Sequence, residues 1–364
     1  MKLNEILPLL EEMAPLAYAE DFDNVGLLVG NKEQTVTGIL VCHDALEIVI
    51  DEAIAKQCNL VVCFHPIVFT GLKKITGSTY VERVVMKAIQ HQIAIYAVHT
   101  ALDNHHEGVN RIFCSALGLE KCNILIPKSQ FITKMVVYTP TEQAEKLREA
   151  LFAAGAGEIG NYERCSFNTV GLGTFKGNAK SKPVVGSPEY FIEVEETKIE
   201  VVFEKHKKQA ILHTLFETHV YEEVAYELYE LENTHQNIGM GMMGTLPQPM
   251  EELEFLQHVK QAMQTPVIRH TELRQKPIHK VAVLGGAGSF AIKNAIQAGA
   301  DAFLTADLKY HNFYEAENQL LLADIGHYES ERYTKNYIVD FLRKKIHSFA
   351  IILSEANTNP VKYL

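Results

Sequence analysis

Asn59-Leu60-Val61-Val62-Cys63-Phe64-His65-Pro66 is the stretch from which the fold is read. A short apolar run stopped by His65-Pro66 has the look of a strand buried on both faces, as in a parallel sheet. Ile93 to Val98 repeats the pattern and stops at His99. Ligands of open α/β sheets gather beyond the carboxyl ends of the strands. That is where His65 and the segment His99-Thr100-Ala101-Leu102-Asp103 stand. A third segment, Gly326-His327-Tyr328-Glu329-Ser330-Glu331-Arg332, opens a helix on which His327 and Glu331, four residues apart, share a face. Two imidazoles and two carboxylates of this kind suit a divalent transition metal such as zinc, iron or manganese.

Outward from this stretch, strands and helices alternate. Gly38 to Val41 is a strand closed by His43-Asp44, Leu46 to Lys56 and Val81 to Gln90 have helical apolar spacing, and Glu107 to Leu117 is one more short helix. Such alternation predicts βαβ units. Met1 to Ala17 has apolar residues at helical intervals (Ile6, Leu9, Leu10, Met13, Leu16) with glutamates between them, unlike the core of a signal peptide.

The character changes near Pro127. Strand Phe131 to Tyr138, helix Ala144 to Ala154, a glycine-bearing loop from Gly155 to Gly186, strand Ile199 to Phe203, helix Lys207 to Glu217 and strand Ala225 to Leu231 read as a ferredoxin-like module. The first pattern resumes after Gly239-Met240-Gly241, with helix Met250 to Met263 and strands Val281 to Leu284 and Ala302 to Thr305. The predicted class is α/β: a discontinuous α/β core (1-127 and 239-364) carrying an inserted ferredoxin-like α+β domain (128-238).

With 364 residues, 47% hydrophobic and 22% charged, the chain has an ordinary globular composition and room for two or three domains. A net charge of −11 argues against a dedicated nucleic-acid binder. The six cysteines form no C-x-x-C pair, which predicts reduced thiols in a cytoplasmic protein. No stretch approaches the about 18 apolar residues that span a bilayer.

Phe22-Asp23-Asn24-Val25-Gly26-Leu27, His65-Pro66 with Phe69-x-Gly71-Leu72-Lys73, His99-x-x-Leu102-Asp103, Thr305-Ala306-Asp307-Leu308-Lys309-Tyr310-His311, Gly326-His327-Tyr328-x-x-Glu331 and Asn357-Thr358-Asn359-Pro360-Val361 occur in this order. Over most of its length the chain resembles the GTP cyclohydrolase 1 type 2 homologues, the NGG-interacting-factor-three-like family, in the long bacterial form whose insert is similar to the CutA and PII proteins. The resemblance implies two divalent metal ions per subunit (zinc, iron or manganese), held by His65, Asp103, His327 and Glu331, in a toroidal homohexamer. It implies a metal-dependent hydrolase whose metal-activated water attacks the ring of a purine nucleotide. His99 or His311 is the catalytic candidate for moving protons, and neither a membrane nor a nucleic acid is an expected partner. One position departs. The family usually has two adjacent histidines where this chain has Phe64-His65. That leaves one metal with fewer ligands, or a place for Cys63, His105 or His106.

Taken singly, each residue has a plainer reading. His65 is a loop histidine, the His327/Glu331 pair a solvated helix face, Asp103 a helix N-cap, and His99 a residue that orients Asp103. Their coincidence with the ordered motifs favours the metal. Gly285-Gly286-Ala287-Gly288-Ser289-Phe290-Ala291 fits G-x-G-x-x-A, with Asp307 at the acidic position. It reads as a tight turn, as an anion site or as a nicotinamide site. Asp307 and His311 are expected to share a helix face by the same pocket. Lys205, Lys207 and Lys208 read as an effector site or a solvated helix start. The rival function is a non-catalytic metal-binding regulatory or scaffold protein.

Overall fold

The computed structural model describes residues 1–364 and contains two compact units, one made of residues 1–126 with 238–364 and the other of residues 127–237. In the first unit a five-stranded sheet has the order Gly26–Val29, Ala94–Ala97, Leu60–His65, Gly38–Asp44, Ala350–Leu353. All its neighbours run parallel except the edge strand Gly26–Val29. The strand Leu60–His65 lies at its centre, as the apolar run predicts. Side chains alternate across the pleat: Leu60, Val62 and Phe64 enter one apolar cluster, Val61 and Cys63 another.

The helix Leu3–Met13 buries Leu3, Ile6, Leu7, Leu10 and Met13 on the Phe64 side, and the helix Thr334–Lys345 packs into the same cluster through Ile338 and Leu342. Emptying such a site by Leu→Ala typically costs about 2–5 kcal/mol. The first helix stops at Met13 rather than reaching Ala17, because Pro15 disfavours helical backbone at Ala14.

A six-stranded sheet follows in the same unit, in the order Arg269–His270, Leu321–Asp324, Ala302–Ala306, Ile278–Ala287, Thr234–Met250, Glu120–Ser129. Leu321–Asp324, Ala302–Ala306 and Ile278–Ala287 are mutually parallel. The chain leaves the unit along Glu120–Ser129 and returns along Thr234–Met250.

The second unit holds a four-stranded antiparallel sheet, ordered Phe167–Lys176, Phe191–Glu204, Ile132–Pro140, Tyr226–Leu231, with the helices Ala144–Ala153 and Lys208–Thr218. The segment read as loop from Gly155 to Gly186 contains a strand. Phe167–Lys176 is exposed along nearly its whole length and carries Gly171 and Gly173, so no burial alternation marks it. Its partner Phe191–Glu204 imposes the strand through ten consecutive pairs.

Candidate metal centre

Parallel strands of both sheets point their carboxyl ends at one place. Gly38–Asp44 ends in His43-Asp44 and Leu60–His65 in His65, while Ala94–Ala97 runs into the helix His99–Asp103. From the second sheet, Ala302–Ala306 is followed by Asp307, and Leu321–Asp324 by the helix His327–Glu331. His99 and Asp307 adopt φ of +22° and +55°. Side-chain-bearing residues held there store strain of the kind found at functional sites.

Glu331 stands at the centre, 4% exposed. Its Oε2 lies 3.4 Å from His43 Nε2, 3.3 Å from His65 Nε2 and 3.3 Å from His327 Nε2. It nonetheless has no hydrogen-bond partner. The Nε2 atoms of His65 and His327 are 3.4 Å apart. An outer ring of carboxylates holds the imidazoles from behind. His65 Nδ1 pairs with Asp44 Oδ1 at 2.8 Å, His327 Nδ1 with Asp307 Oδ2 at 2.7 Å, and His99 Nδ1 with Asp23 Oδ1 at 2.8 Å. A carboxylate at Nδ1 fixes each ring and favours a proton on that nitrogen, so that Nε2 is the nitrogen that could ligate a metal. Thr358 Oγ1 donates to Asp44 at 2.6 Å and ties the carboxyl-terminal segment to this ring.

Charge and burial pull against each other throughout the cluster. Burial alone would raise the Glu331 carboxyl, but His327, His43 and His65 around it hold it well below the carboxylate range. Burial alone would lower His65 and His327, yet Asp44 with Glu331, and Asp307 with Glu331, raise them to about 9 and about 11. Asp103 goes the other way: burial, reinforced by the charge of Glu331, pushes it well above its usual range. Its Oδ1 is buried without a partner, as are both ring nitrogens of His43. Unpaired buried polar atoms are costly. A divalent cation would satisfy them and take over from the protons on the imidazoles. Ligand atoms of His65, His327 and Glu331, and separately of His43, Asp44 and His65, lie within 4.8 Å of one another. The donor set of nitrogen and carboxylate oxygen fits a divalent transition metal.

The glycine stretch makes room for the cluster. Gly286 has φ +67°, and a Cβ there would stand 2.5 Å from Glu331 Oε1. The amide of Gly285 donates to Asn110 Oδ1 and that of Gly286 to Ser330 Oγ. These amides are already engaged, and the glycines make room for Glu331. Two cavities flank the cluster, of about 330 Å³ beside Asp44, Asp307 and Tyr328 and about 270 Å³ beside His99, Asp103 and Phe290.

Of the residues singled out in the sequence, His65, His327 and Glu331 come together, and Asp103 and His99 line the second cavity with Glu331. His311 does not join them. It is exposed, its ring 5.2 Å from Tyr310 and 6.3 Å from Tyr314. Asp307 and His311 share no helix face, because Asp307 precedes the short helix Tyr310–Ala316 in a left-handed conformation. None of the residues considered for the Phe64 gap fills it. The Cys63 thiol donates to Tyr96 O on the opposite face of its strand, His105 stacks on Tyr18, and His106 pairs with Glu107. Sequence reasoning missed His43, Asp44 and Asp23 as site residues. The first two were read only as a strand terminator and Asp23 only as part of the motif Phe22 to Leu27; Asp23 also accepts hydrogen bonds from Thr100 N and Oγ1.

Fold and site together define a mixed α/β protein with a partly buried histidine–carboxylate cluster able to hold metal, on a chain with no helix long and apolar enough to cross a membrane. The chain belongs to the Duf34/NIF3 (NGG1p interacting factor 3) family, whose profile matches residues 1–360. It is 37% identical to the GTP cyclohydrolase 1 type 2 homolog of Bacillus subtilis, over 99% of this chain and 98% of that one. It is 36% identical to the protein of the same name from Halalkalibacterium halodurans, over 99% and 98%. Among solved structures it resembles a Bacillus cereus protein related to NIF3, with a TM-score of 0.87 at 33% identity over 100% of this chain and 99% of the other.

Proposed function

We propose that this centre binds divalent cations, two per chain, and that the protein is a metal-dependent hydrolase acting on a nucleotide-like substrate, in its most specific form at the ring of a purine nucleotide. The observation that carries this reading is Glu331 Oε2, buried, unbonded and faced by three imidazole nitrogens. His65, Asp103, His327 and Glu331 would hold the cations, with Asp44 and Asp307 fixing the two imidazoles. A bound divalent cation supplies Lewis acidity and water acidic enough to ionise near neutral pH. His99 supplies proton transfer. Asp23 holds its Nδ1–H, so that Nε2 takes up a proton and returns it on the substrate. The flanking cavities are on the scale of small-molecule sites. The name shared by the relatives supports the nucleotide class. The strand–helix–strand–strand–helix–strand order of residues 127–237 supports the ferredoxin-like, CutA/PII-like reading of the insert.

The test is formate release from purine nucleoside triphosphates by protein purified without chelator, read alongside its metal content. Turnover should be measurable and should fall at least about 100-fold in Asp103→Asn. Full metal occupancy with no turnover on any purine nucleotide would sink the hydrolase and leave the regulatory or scaffold reading.

A further inference from the structure

His43 is the one imidazole of the cluster whose Nδ1 no carboxylate holds. His65, His99 and His327 each give Nδ1 to an acid, whereas Nδ1 and Nε2 of His43 both lack a hydrogen-bond partner. The residue is 3% exposed. Its ring is held by packing, stacked on Phe64 at 5.4 Å and edge-on to Tyr328 at 5.2 Å. Nε2 is aimed at Glu331 Oε2, 3.4 Å away, and the ring centroid is 4.7 Å from that of His65. A histidine kept for architecture would be expected to spend at least one ring nitrogen on a hydrogen bond.

The strand register explains why it stands there. Cys42 lies opposite Cys63 and Asp44 opposite His65, so His43 is the neighbour of Phe64 across the parallel pair. Both side chains point to the same face at the carboxyl ends of their strands. Where the family pattern has a histidine, this chain has Phe64, and the adjacent strand supplies an imidazole at the same level.

We propose that His43 is a metal ligand through Nε2, the imidazole that makes up for Phe64, its place moved one strand sideways. The inference rests on the metal reading above, and the test separates the two. Full-length protein without an affinity tag is stripped with chelator, titrated with Zn²⁺ or Co²⁺ alone and desalted, and metal per chain is measured by mass spectrometry. Wild type, His43→Leu, His65→Ala and the exchange variant His43→Leu/Phe64→His are compared. His43→Leu should lose one equivalent, or bind it at least about 100-fold more weakly, with a changed Co²⁺ visible spectrum. The exchange variant should regain it.

Thermal melting of the stripped proteins guards against a folding artefact. His43→Leu without metal should melt at or above the wild-type temperature, because it replaces an unbonded buried imidazole by an apolar group; a lower melting temperature would mark a structural histidine and overturn the proposal. Wild-type stoichiometry and spectrum in His43→Leu, while His65→Ala loses metal, would overturn the role of His43 alone. No metal on the wild type would overturn the metal reading and this proposal with it.

Discussion

Glu331 and Glu252 are buried to almost the same extent, 4% and 3% exposed, and nothing else about them is alike. At Glu252, Oε1 accepts from Arg274 N and Nε at 3.1 and 3.4 Å, and Oε2 accepts from Gln275 N at 2.8 Å. The guanidinium is itself closed off by Asp301 O and Gln319 O. Both carboxylate oxygens are hydrogen-bonded inside the protein. At Glu331 one oxygen is surrounded by nitrogens and bonded to none. A buried charge is expensive in either place. Burial therefore does not separate architecture from a site. What separates them is whether the surroundings complete the charge or leave it for something from outside.

The largest expected effect turns this contrast into a stability measurement. Cation added to stripped protein should stabilise the fold by RT ln(1 + [L]/Kd), about 4 kcal/mol at a thousandfold excess over Kd. The increment should vanish in Glu331→Gln and persist in Glu252→Gln. A Tm rise of equal size in all three proteins would erase the distinction. Next in size, Glu252→Ala should cost about 3 kcal/mol in urea unfolding, with or without metal, because it leaves the Arg274 guanidinium buried beside no carboxylate. Glu331→Ala in stripped protein should cost less, since the Oε2 it removes is hydrogen-bonded to nothing.

How far the sequence reveals this contrast follows from what each feature needs. The apolar runs at Asn59 to Cys63 and Ile93 to Val98 announce buried parallel strands because burial on both faces leaves a continuous signal in one stretch of chain. His327 and Glu331 are legible for a similar reason: a single turn of helix sets their spacing. Phe167–Lys176 is not, because exposure and glycines remove its periodicity and only pairing makes it a strand. His43 is hidden differently. As an isolated residue closing a strand it carries no ligand signal. Its meaning comes from the register that sets it beside Phe64, which needs two strands to be paired correctly. Glu252 and Arg274, 22 residues apart, are likewise invisible as a pair until the fold closes.

A smaller effect tests whether the open side of the comparison depends on the glycine loop. Gly286→Ala puts a methyl 2.5 Å from Glu331 Oε1 at a backbone with φ +67°. Gly299→Ala has a similar φ of +74° with nothing within 4 Å. Both should lose about 1–2 kcal/mol of stability for the left-handed backbone. Only Gly286→Ala should also weaken Zn²⁺ binding, by about tenfold or more. Equal Zn²⁺ affinity in the two variants would mean that Glu331 yields without disturbing its neighbours.

The smallest effect concerns a second closed carboxylate, Glu52, which ties down the segment leading to the site. It accepts from Lys56 Nζ at 2.8 Å, Ser354 Oγ at 2.6 Å and Glu355 N at 3.0 Å. A few residues on, Thr358 bonds Asp44. Burial would raise the Glu52 carboxyl, but these donors outweigh it and hold it at about 2 against an ordinary 4.5. A folded-state value below the unfolded one means stability that is complete above pH about 4.5 and is lost as the pH falls from there towards about 2. Glu52→Gln should therefore be less stable than wild type at pH 7, and the gap, about 1 kcal/mol for a pair that solvent reaches, should narrow steadily as the pH falls from about 4.5 towards 2. Stripped protein is the right material, because Glu331 and its histidines are then common to both chains and cancel in the difference. A gap of constant width down to pH 3 would show that the Glu52 bonds work without its charge. Glu52 would then not be a closed carboxylate in the sense that Glu252 is.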